Sequence, residues 1–164
     1  EGKRPWLAVE AFETVLEEYP DAELYLCGDG ALREELEAQV AELGIEEAVT
    51  FLGHVPYDEM PKVYRSGDVL VLPSRAEGVP RTVLEAMASG LEIAMSDLDQ
   101  IAGTVGDIGW LVSGDGARHF AVALVEAIPN KQTLKKDPRA QIVNNYQWSG
   151  TVFLTSKHLR TLVN

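Results

Sequence analysis

Two glutamates eight residues apart, Glu77 and Glu85, stand out for the chemistry that their setting allows. Glu77 sits in the loop Ser74-Arg75-Ala76-Glu77-Gly78, directly after an apolar run, and Glu85 falls within the helix that Pro80 opens near its first position. The first-turn amides of such a helix lack intrahelical partners, and together with the helix dipole they form a site for an anion such as phosphate. Gly78 lets a ligand approach the backbone closely. Glu85 lies about five residues into the helix, roughly 7–8 Å along an axis that rises about 1.5 Å per residue. One ligand can therefore rest its phosphates on the helix start while a hydroxyl-rich part reaches Glu85. A carboxylate accepts two hydrogen bonds, which suits a vicinal diol such as a ribose. Two glutamates at this spacing also arise by chance on solvated helix faces. The strand–loop–helix setting is what lifts this pair above that alternative.

Other residues carry weaker chemistry. Gly28-Asp29-Gly30 invites a dinucleotide-fold reading, but Arg33 occupies the place of the third glycine of G-x-G-x-x-G. A bare tight turn and a nucleotide contact at Gly28 both fit. Asp97-Leu98-Asp99 has the form of a metal-binding acid pair, yet no ligand cluster supports it, and no metal is expected. His54, His119 and His158 are scattered without zinc-ligand spacing. Cys27, the only cysteine, lies in an apolar run, where a buried, inert core thiol is the expected state. A single cysteine forms no intramolecular disulfide, which favours a cytosolic setting.

The elements that must position these groups alternate between short apolar runs and amphipathic helices. Trp6, Leu7, Val9, Ala11, Phe12, Val15 and Leu16 recur at helical spacing and stop at Tyr19-Pro20-Asp21. A strand follows at 23–28, then a helix opened by Asp29-Gly30, with Leu32, Leu36, Val40 and Leu43 on one face and Gly44 as its C-cap. Strands are expected at 49–53, 69–72, 93–95 and 109–112, and helices at 56–65, 80–88, 117–128, 134–146 and 149–162. The continuous apolar run Val69-Leu70-Val71-Leu72 reads as a parallel strand buried on both faces. This alternation predicts an α/β domain, doubly wound, with a mostly parallel sheet and helices on both faces. Ligands of such sheets bind outside the carboxyl ends of the strands, here the loops after Leu26, Leu52 and Leu72. A doubly wound domain usually starts on a strand, whereas this chain opens on a helix; loss of a first strand upstream is the favoured explanation.

Composition narrows the class. The 164 residues suit one domain, with 46% hydrophobic and 24% charged residues as in ordinary globular proteins. No apolar run approaches the roughly 18–20 residues needed to span a bilayer, and the N-terminus lacks a secretory pattern. The net charge of −12 argues against a general nucleic-acid binder. Residues 1–128 carry 8 Lys/Arg against 25 Asp/Glu, while residues 129–164 carry 6 against one. That helical, basic C-terminal segment can dock on the acidic body, on another domain or on an anionic membrane; a solvated face is the plain alternative. The expected location is cytoplasmic, with peripheral membrane association through this segment.

The segment from Leu72 to Gly90 resembles the E-x7-E motif of the family 4 GT-B glycosyltransferases, with Leu84-Glu85-Ala86-Met87-Ala88-Ser89-Gly90 matching almost residue for residue. The resemblance implies that Glu85 holds the donor ribose, that Glu77 lies near the donor sugar as the catalytic acid of the pair, and that the amides of Gly78, Val79 and Arg81 meet sugar hydroxyls and diphosphate. It extends over nearly the whole chain. Lys3, before Glu10-Ala11-Phe12, matches a lysine that binds the diphosphate with an arginine five positions earlier, which here would precede Glu1. Gly28-Asp29-Gly30 resembles the loop closing the next strand. Phe51-Leu52-Gly53-His54-Val55-Pro56 resembles the loop whose backbone reads the nucleobase, placing Val55 there. Tyr146-Gln147-Trp148 resembles the segment before the last helix. The chain departs from the family at Glu92, where a proline is common, and at Asp97-Leu98-Asp99-Gln100 and Gly103, where paired glycines and a glutamate are usual.

The expectation is therefore the donor-binding half of a GT-B glycosyltransferase: one domain, 1–164, which binds a nucleotide diphosphate sugar for retaining, metal-independent transfer to an acceptor. The acceptor side belongs to an N-terminal domain outside this sequence, and the isolated domain is expected to be inactive. A non-catalytic nucleotide-binding or interaction module of the same fold, or a sugar-nucleotide epimerase, are the alternatives.

Overall fold

A computed structural model describes residues 2–78, 81–99, 105, 109–130 and 137–145. Val79, Pro80, Gln100, Gly103, the segment Tyr146-Gln147-Trp148, the helix expected at 149–162 and most of the basic segment lie outside the described residues.

Helix α1 spans Pro5–Glu18, with Pro5 in the first turn, where a missing N–H costs nothing. Leu7, Ala8, Ala11, Phe12 and Val15 form its buried stripe. Strand β1 (Leu24–Cys27) leads through a loop to α2 (Arg33–Leu43). That helix starts later than the sequence suggests, because residues 28–32 form a turn in which the Arg33 amide donates to the Gly30 carbonyl at 3.2 Å. It ends where expected, at Gly44, whose φ of 68° is left-handed. A 3-10 turn (Glu46–Ala48) precedes β2 (Val49–Gly53). Then follow α3 (Met60–Ser66), β3 (Val69–Leu72), α4 (Arg81–Ala88), β4 (Glu92–Ser96), β5 (Trp110–Val112), α5 (Ala117–Asn130) and α6 (Pro138–Asn145).

All strand pairings are parallel: β1 with β2, β3 with β4, and β4 with β5. Strand β4 shows why this is a layered fold, because all five of its residues are buried. Ile93 and Met95 enter a core with Val83 and Met87 of α4, while Ala94 enters a second core with Phe12 of α1 and Phe120 of α5. Helices thus cover both faces, and the middle of β4, Ile93-Ala94-Met95, is apolar on both sides. Fully burying Met87, Ile93 or Phe120 contributes roughly 1.5–3 kcal/mol each.

The strands do not form one continuous hydrogen-bonded sheet. They divide into β1-β2 and β3-β4-β5. Between β1 and β3 runs a groove of about 790 Å³, walled by both strands and by α1 and α3. The split changes two expectations. Strand β3 is half-buried along its length rather than fully buried, since its open edge lines the groove. Cys27 is exposed, not a core thiol. Along β1, Leu24 and Leu26 pack on the core while Tyr25 and Cys27 alternate to the uncovered side. The remaining protein atoms around Cys27 desolvate it enough to push its thiol above the ordinary range.

Candidate functional site

The Glu77 loop is fixed from below. Ser74, fully buried at the carboxyl end of β3, donates its hydroxyl to Glu77 Oε1 at 2.8 Å. The rest of the anchor is Arg4, which the sequence reading passed over. Arg4 is 3% exposed and donates from Nε to the Pro73 carbonyl (2.8 Å), from Nη2 to Ser96 Oγ (3.2 Å) and from Nη1 to Asp115 Oδ1 (2.7 Å). One guanidinium thereby ties the N-terminus of α1 to the loop after β3, the last residue of β4 and the loop after β5. Its backbone stands at φ 47°, among the described residues the only non-glycine position in the left-handed region, a conformation disfavoured for any residue with a Cβ. Strain of this kind persists only where the surroundings over-determine it, and here the three anchored loops do so. The Gly2 carbonyl also accepts from the Arg75 amide at 2.8 Å. Asp115 is 87% exposed, and the hydrogen bond and charge of Arg4 hold its carboxyl below the usual carboxylate range. A polar depression of about 400 Å³ opens here, lined by Arg4, Ser74, Arg75, Ser96, Asp97 and Asp115 among others.

Glu85 belongs to a second cluster on α4. Tyr64 of α3, itself buried, donates its hydroxyl to Glu85 Oε2 at 3.2 Å. Burial, and then the Glu85 carboxylate, push the Tyr64 hydroxyl far above its ordinary pKa, so it stays protonated and remains a donor. One turn earlier on α4, Arg81 Nη2 lies 3.9 Å from Glu85 Oε1 and its guanidinium stacks over Tyr57 at 5.6 Å. The Glu85 side chain is 29% exposed and that of Arg81 77%, so the carboxylate is held in place yet open to a ligand. With α4 running from Arg81 to Ala88, Glu85 falls in its second turn, as the sequence predicts.

The carboxyl ends of β1 and β2 meet in a third cluster. The Gly28 amide donates to the Gly53 carbonyl at 2.7 Å, and Arg33 stacks over Phe51 at 5.3 Å while lying 3.6 Å from Asp29. Gly28 has φ 122°, so the turn itself requires a glycine there. Its amide is already bonded within the chain. Val55 follows this junction, half-buried, and His54 is exposed. Lys3 is exposed at the mouth of the groove. Gly78 differs from Gly28: its φ is not left-handed, and a Cβ added there would meet no atom within 4 Å. Among the described residues, none opposes a side chain at 78.

The structure therefore sets Glu77, in the loop ahead of α4, beside the Arg4 anchor, and Glu85, in the second turn of α4, beside Tyr64 and Arg81. Gly28 and Val55 border the neighbouring strand ends. Val79 lies outside the described residues. At the altered loop, Asp97 accepts from Ser113 Oγ at 2.9 Å and its amide donates to the Val112 carbonyl at 3.0 Å. Among the described residues, no three His, Cys, Asp or Glu side chains gather as a metal site, and no helix is long and apolar enough to cross a membrane.

Comparison with known proteins gives the family and the fold. The sequence matches the family described as "Glycosyl transferases group 1" over residues 2–130. It is 30% identical to a D-inositol 3-phosphate glycosyltransferase of Corynebacterium urealyticum over 160 residues, covering 91% of this chain and 38% of the relative. It is 35% identical to the 2-deoxystreptamine glucosyltransferase of Streptomyces kanamyceticus over 101 residues, covering 62% of this chain and 26% of that protein. The chain thus spans well under half the length of these curated relatives. Among solved structures, S. aureus TarM in a complex containing UDP is similar with a TM-score of 0.84 at 19% identity, over 98% of this chain and 33% of TarM. The C-terminal domain of a group 1 glycosyl transferase, LpcC of Francisella tularensis, is similar with a TM-score of 0.80 at 24% identity, over 90% of this chain and 81% of that one. Anabaena HepE in complex with UDP and glucose gives a TM-score of 0.77 at 21% identity, over 98% of this chain and 45% of HepE. The chain belongs to the group 1 glycosyl transferases and forms a Rossmann-like domain of their GT-B fold.

Proposed function

We propose that this domain binds a nucleotide diphosphate sugar and holds it for glycosyl transfer, with retention of configuration and without a metal, to an acceptor whose binding site belongs to a separate N-terminal domain. The observation that carries the reading is the state of Glu85. It is a partly open carboxylate, oriented by a tyrosine that stays protonated, in the second turn of the helix that follows the Glu77 loop in sequence. A ribose diol can donate two hydrogen bonds to it. The amides at the start of α4, with Arg81 and Lys3, supply positive potential for the diphosphate, first as ligand and then as leaving group. Glu77, braced by Ser74, stands where the donor sugar would follow. Gly78 fits this reading, since no described protein atom opposes a side chain there and a glycine leaves that space to a ligand. The UDP complexes of TarM and HepE support a nucleotide on this fold.

One observation favours a second reading, a nucleotide-binding module without transfer. Asp97 is bonded to the end of β5 instead of leaving an open glycine loop beside the donor. Thermal shift with UDP, GDP and ADP at millimolar concentration tests binding. A ligand at about 100 times its Kd stabilises by about 2.7 kcal/mol, or roughly 5–11 °C for a domain of this size. No shift with any of the three sinks both readings. Binding, followed by failure of the chain to transfer sugar when joined to an acceptor domain of a relative, selects the second.

A further inference from the structure

Among the described residues, Tyr57 is the most exposed large apolar side chain, at 69%, yet its ring is not left loose. It lies in the turn between β2 and α3, which the Glu59 and Met60 amides close by donating to the Pro56 carbonyl at 3.0 and 3.1 Å. The backbone beneath the ring is thereby fixed. The Arg81 guanidinium stands over one face of the ring at 5.6 Å, within reach of a cation–π contact. Exposure this high leaves the opposite face open to solvent.

The pair belongs to the Glu85 cluster. Arg81 Nη2 lies 3.9 Å from Glu85 Oε1, and Tyr64 donates to the other carboxylate oxygen at 3.2 Å. Ring, guanidinium and carboxylate form one row, in which a single guanidinium separates the tyrosine from the carboxylate. Burial first, then Glu85, raise the Tyr64 hydroxyl, and Cys27 and Tyr57 add smaller contributions. The row therefore lies close to the carboxyl end of β1, where the Gly28 amide joins that strand to Gly53.

An open ring beside a carboxylate that takes a diol suits a ligand with a flat face attached to that diol. In a nucleotide the base is bonded to the ribose itself, one sugar ring away from the two hydroxyls. A ribose held at Glu85 thus brings its base over the neighbouring surface, where Tyr57 presents its ring. Aromatic and guanidinium planes both stack on bases. Such stacking tolerates any base, because every base has a π-face. Tyr57 would therefore set the affinity for nucleotides and leave the choice of base to other groups.

We propose that Tyr57, backed by Arg81, is the stacking platform for the base of the bound nucleotide. The inference rests on the assignment of Glu85 to the ribose, and it adds the turn between β2 and α3 to the site.

Calorimetric titration with UDP, GDP and ADP tests it on the chain and on Tyr57→Ala, Tyr57→Phe and Glu85→Ala, with ribose 5-phosphate as the ligand that lacks a base. Tyr57→Ala is expected to weaken every nucleotide that binds the parent by about tenfold or more, the loss produced by removing one base stack. Tyr57→Phe keeps the ring and stays within about twofold of the parent. Ribose 5-phosphate binds the parent and Tyr57→Ala alike, and the urea midpoint of Tyr57→Ala is unchanged because the side chain is exposed. In Tyr57→Trp, nucleotide quenches the emission of the added indole and ribose 5-phosphate does not; this arm decides if ribose 5-phosphate binds too weakly for calorimetry. Nucleotide binding by Tyr57→Ala within about twofold of the parent, while Glu85→Ala loses affinity, overturns this inference and leaves the ribose assignment standing. Equal losses of nucleotide and ribose 5-phosphate in Tyr57→Ala, or an indole that no nucleotide quenches, also overturn it. Binding of none of the three nucleotides by the parent overturns both.

Discussion

Replacing Arg4 should damage the fold in a way that separates its hydrogen bonds from its backbone strain. In Arg4→Ala, the Pro73 carbonyl and the Ser96 hydroxyl lose charged donors at 2.8 and 3.2 Å. A hydrogen bond to a charged group contributes about 1.5–3 kcal/mol. The third contact within the protein, to the Ser74 carbonyl, is 3.5 Å long and adds little, and the pair with exposed Asp115 is screened by solvent. Release of a buried guanidinium from its desolvation offsets part of the loss, so the expected cost is about 3 kcal/mol. Alanine, however, keeps a Cβ at φ 47°, which costs roughly 1–2 kcal/mol. Arg4→Gly removes that strain and should be about 1 kcal/mol more stable than Arg4→Ala. Urea unfolding followed by tryptophan fluorescence measures both: with a slope of about 1–3 kcal/mol per molar, the alanine midpoint falls by about 1–3 M. A loss below about 1 kcal/mol for alanine, or a glycine variant no better than alanine, refutes the assignment of Arg4 as a strained anchor.

Asp115 gives a pH test. Its carboxyl is held below the ordinary value in the folded state, so the stability it lends is present above the unfolded aspartate pKa and is lost as pH falls through the folded one; Asp115→Asn should flatten the acid limb of stability in that range, and an unchanged limb contradicts the pairing. Cys27 should react with a maleimide in the folded protein, at a rate still rising above the pH where a free cysteine levels off, because its thiol is raised; protection until global unfolding would return it to the core. Gly78→Ala should leave the urea midpoint unchanged, within about 0.5 kcal/mol, while weakening nucleotide binding, since no protein atom opposes the methyl group. A destabilised variant with unaltered binding would make Gly78 a structural glycine.

What the sequence disclosed follows from the range of the interactions involved. Helix α1, the Gly44 stop and the strand–loop–helix around Glu77 and Glu85 rest on local periodicity, turn residues and a short motif, and these are legible from neighbours; that β4 and not β3 is the strand buried on both faces depends on which edge stays open. Arg4 was not, because its partners Pro73, Ser96 and Asp115 lie 69 to 111 residues away and arginine gives no local sign of a left-handed backbone. Tyr64 read only as part of a short helix, and its hydrogen bond to Glu85 depends on how α3 packs on α4. Cys27 misled for the opposite reason. An apolar run marks a strand, but whether its alternate side chains are covered depends on a neighbouring strand at the open edge. The start of α2 shifted because Gly28-Asp29-Gly30 made a turn, stapled to Gly53 through the Gly28 amide and to Arg33 through Asp29 and Gly30, instead of a helix cap.

The central claim is that Glu85 and the start of α4 form a ribose and diphosphate cradle. Calorimetric titration of the chain and of Glu85→Ala with UDP, GDP and ADP addresses it directly. The account predicts that at least one nucleotide binds the parent and that the alanine variant binds it more weakly by about 1–3 kcal/mol, from lost hydrogen bonds to a carboxylate. Binding of that nucleotide with equal affinity by both proteins, or binding of none of the three by the parent, contradicts it.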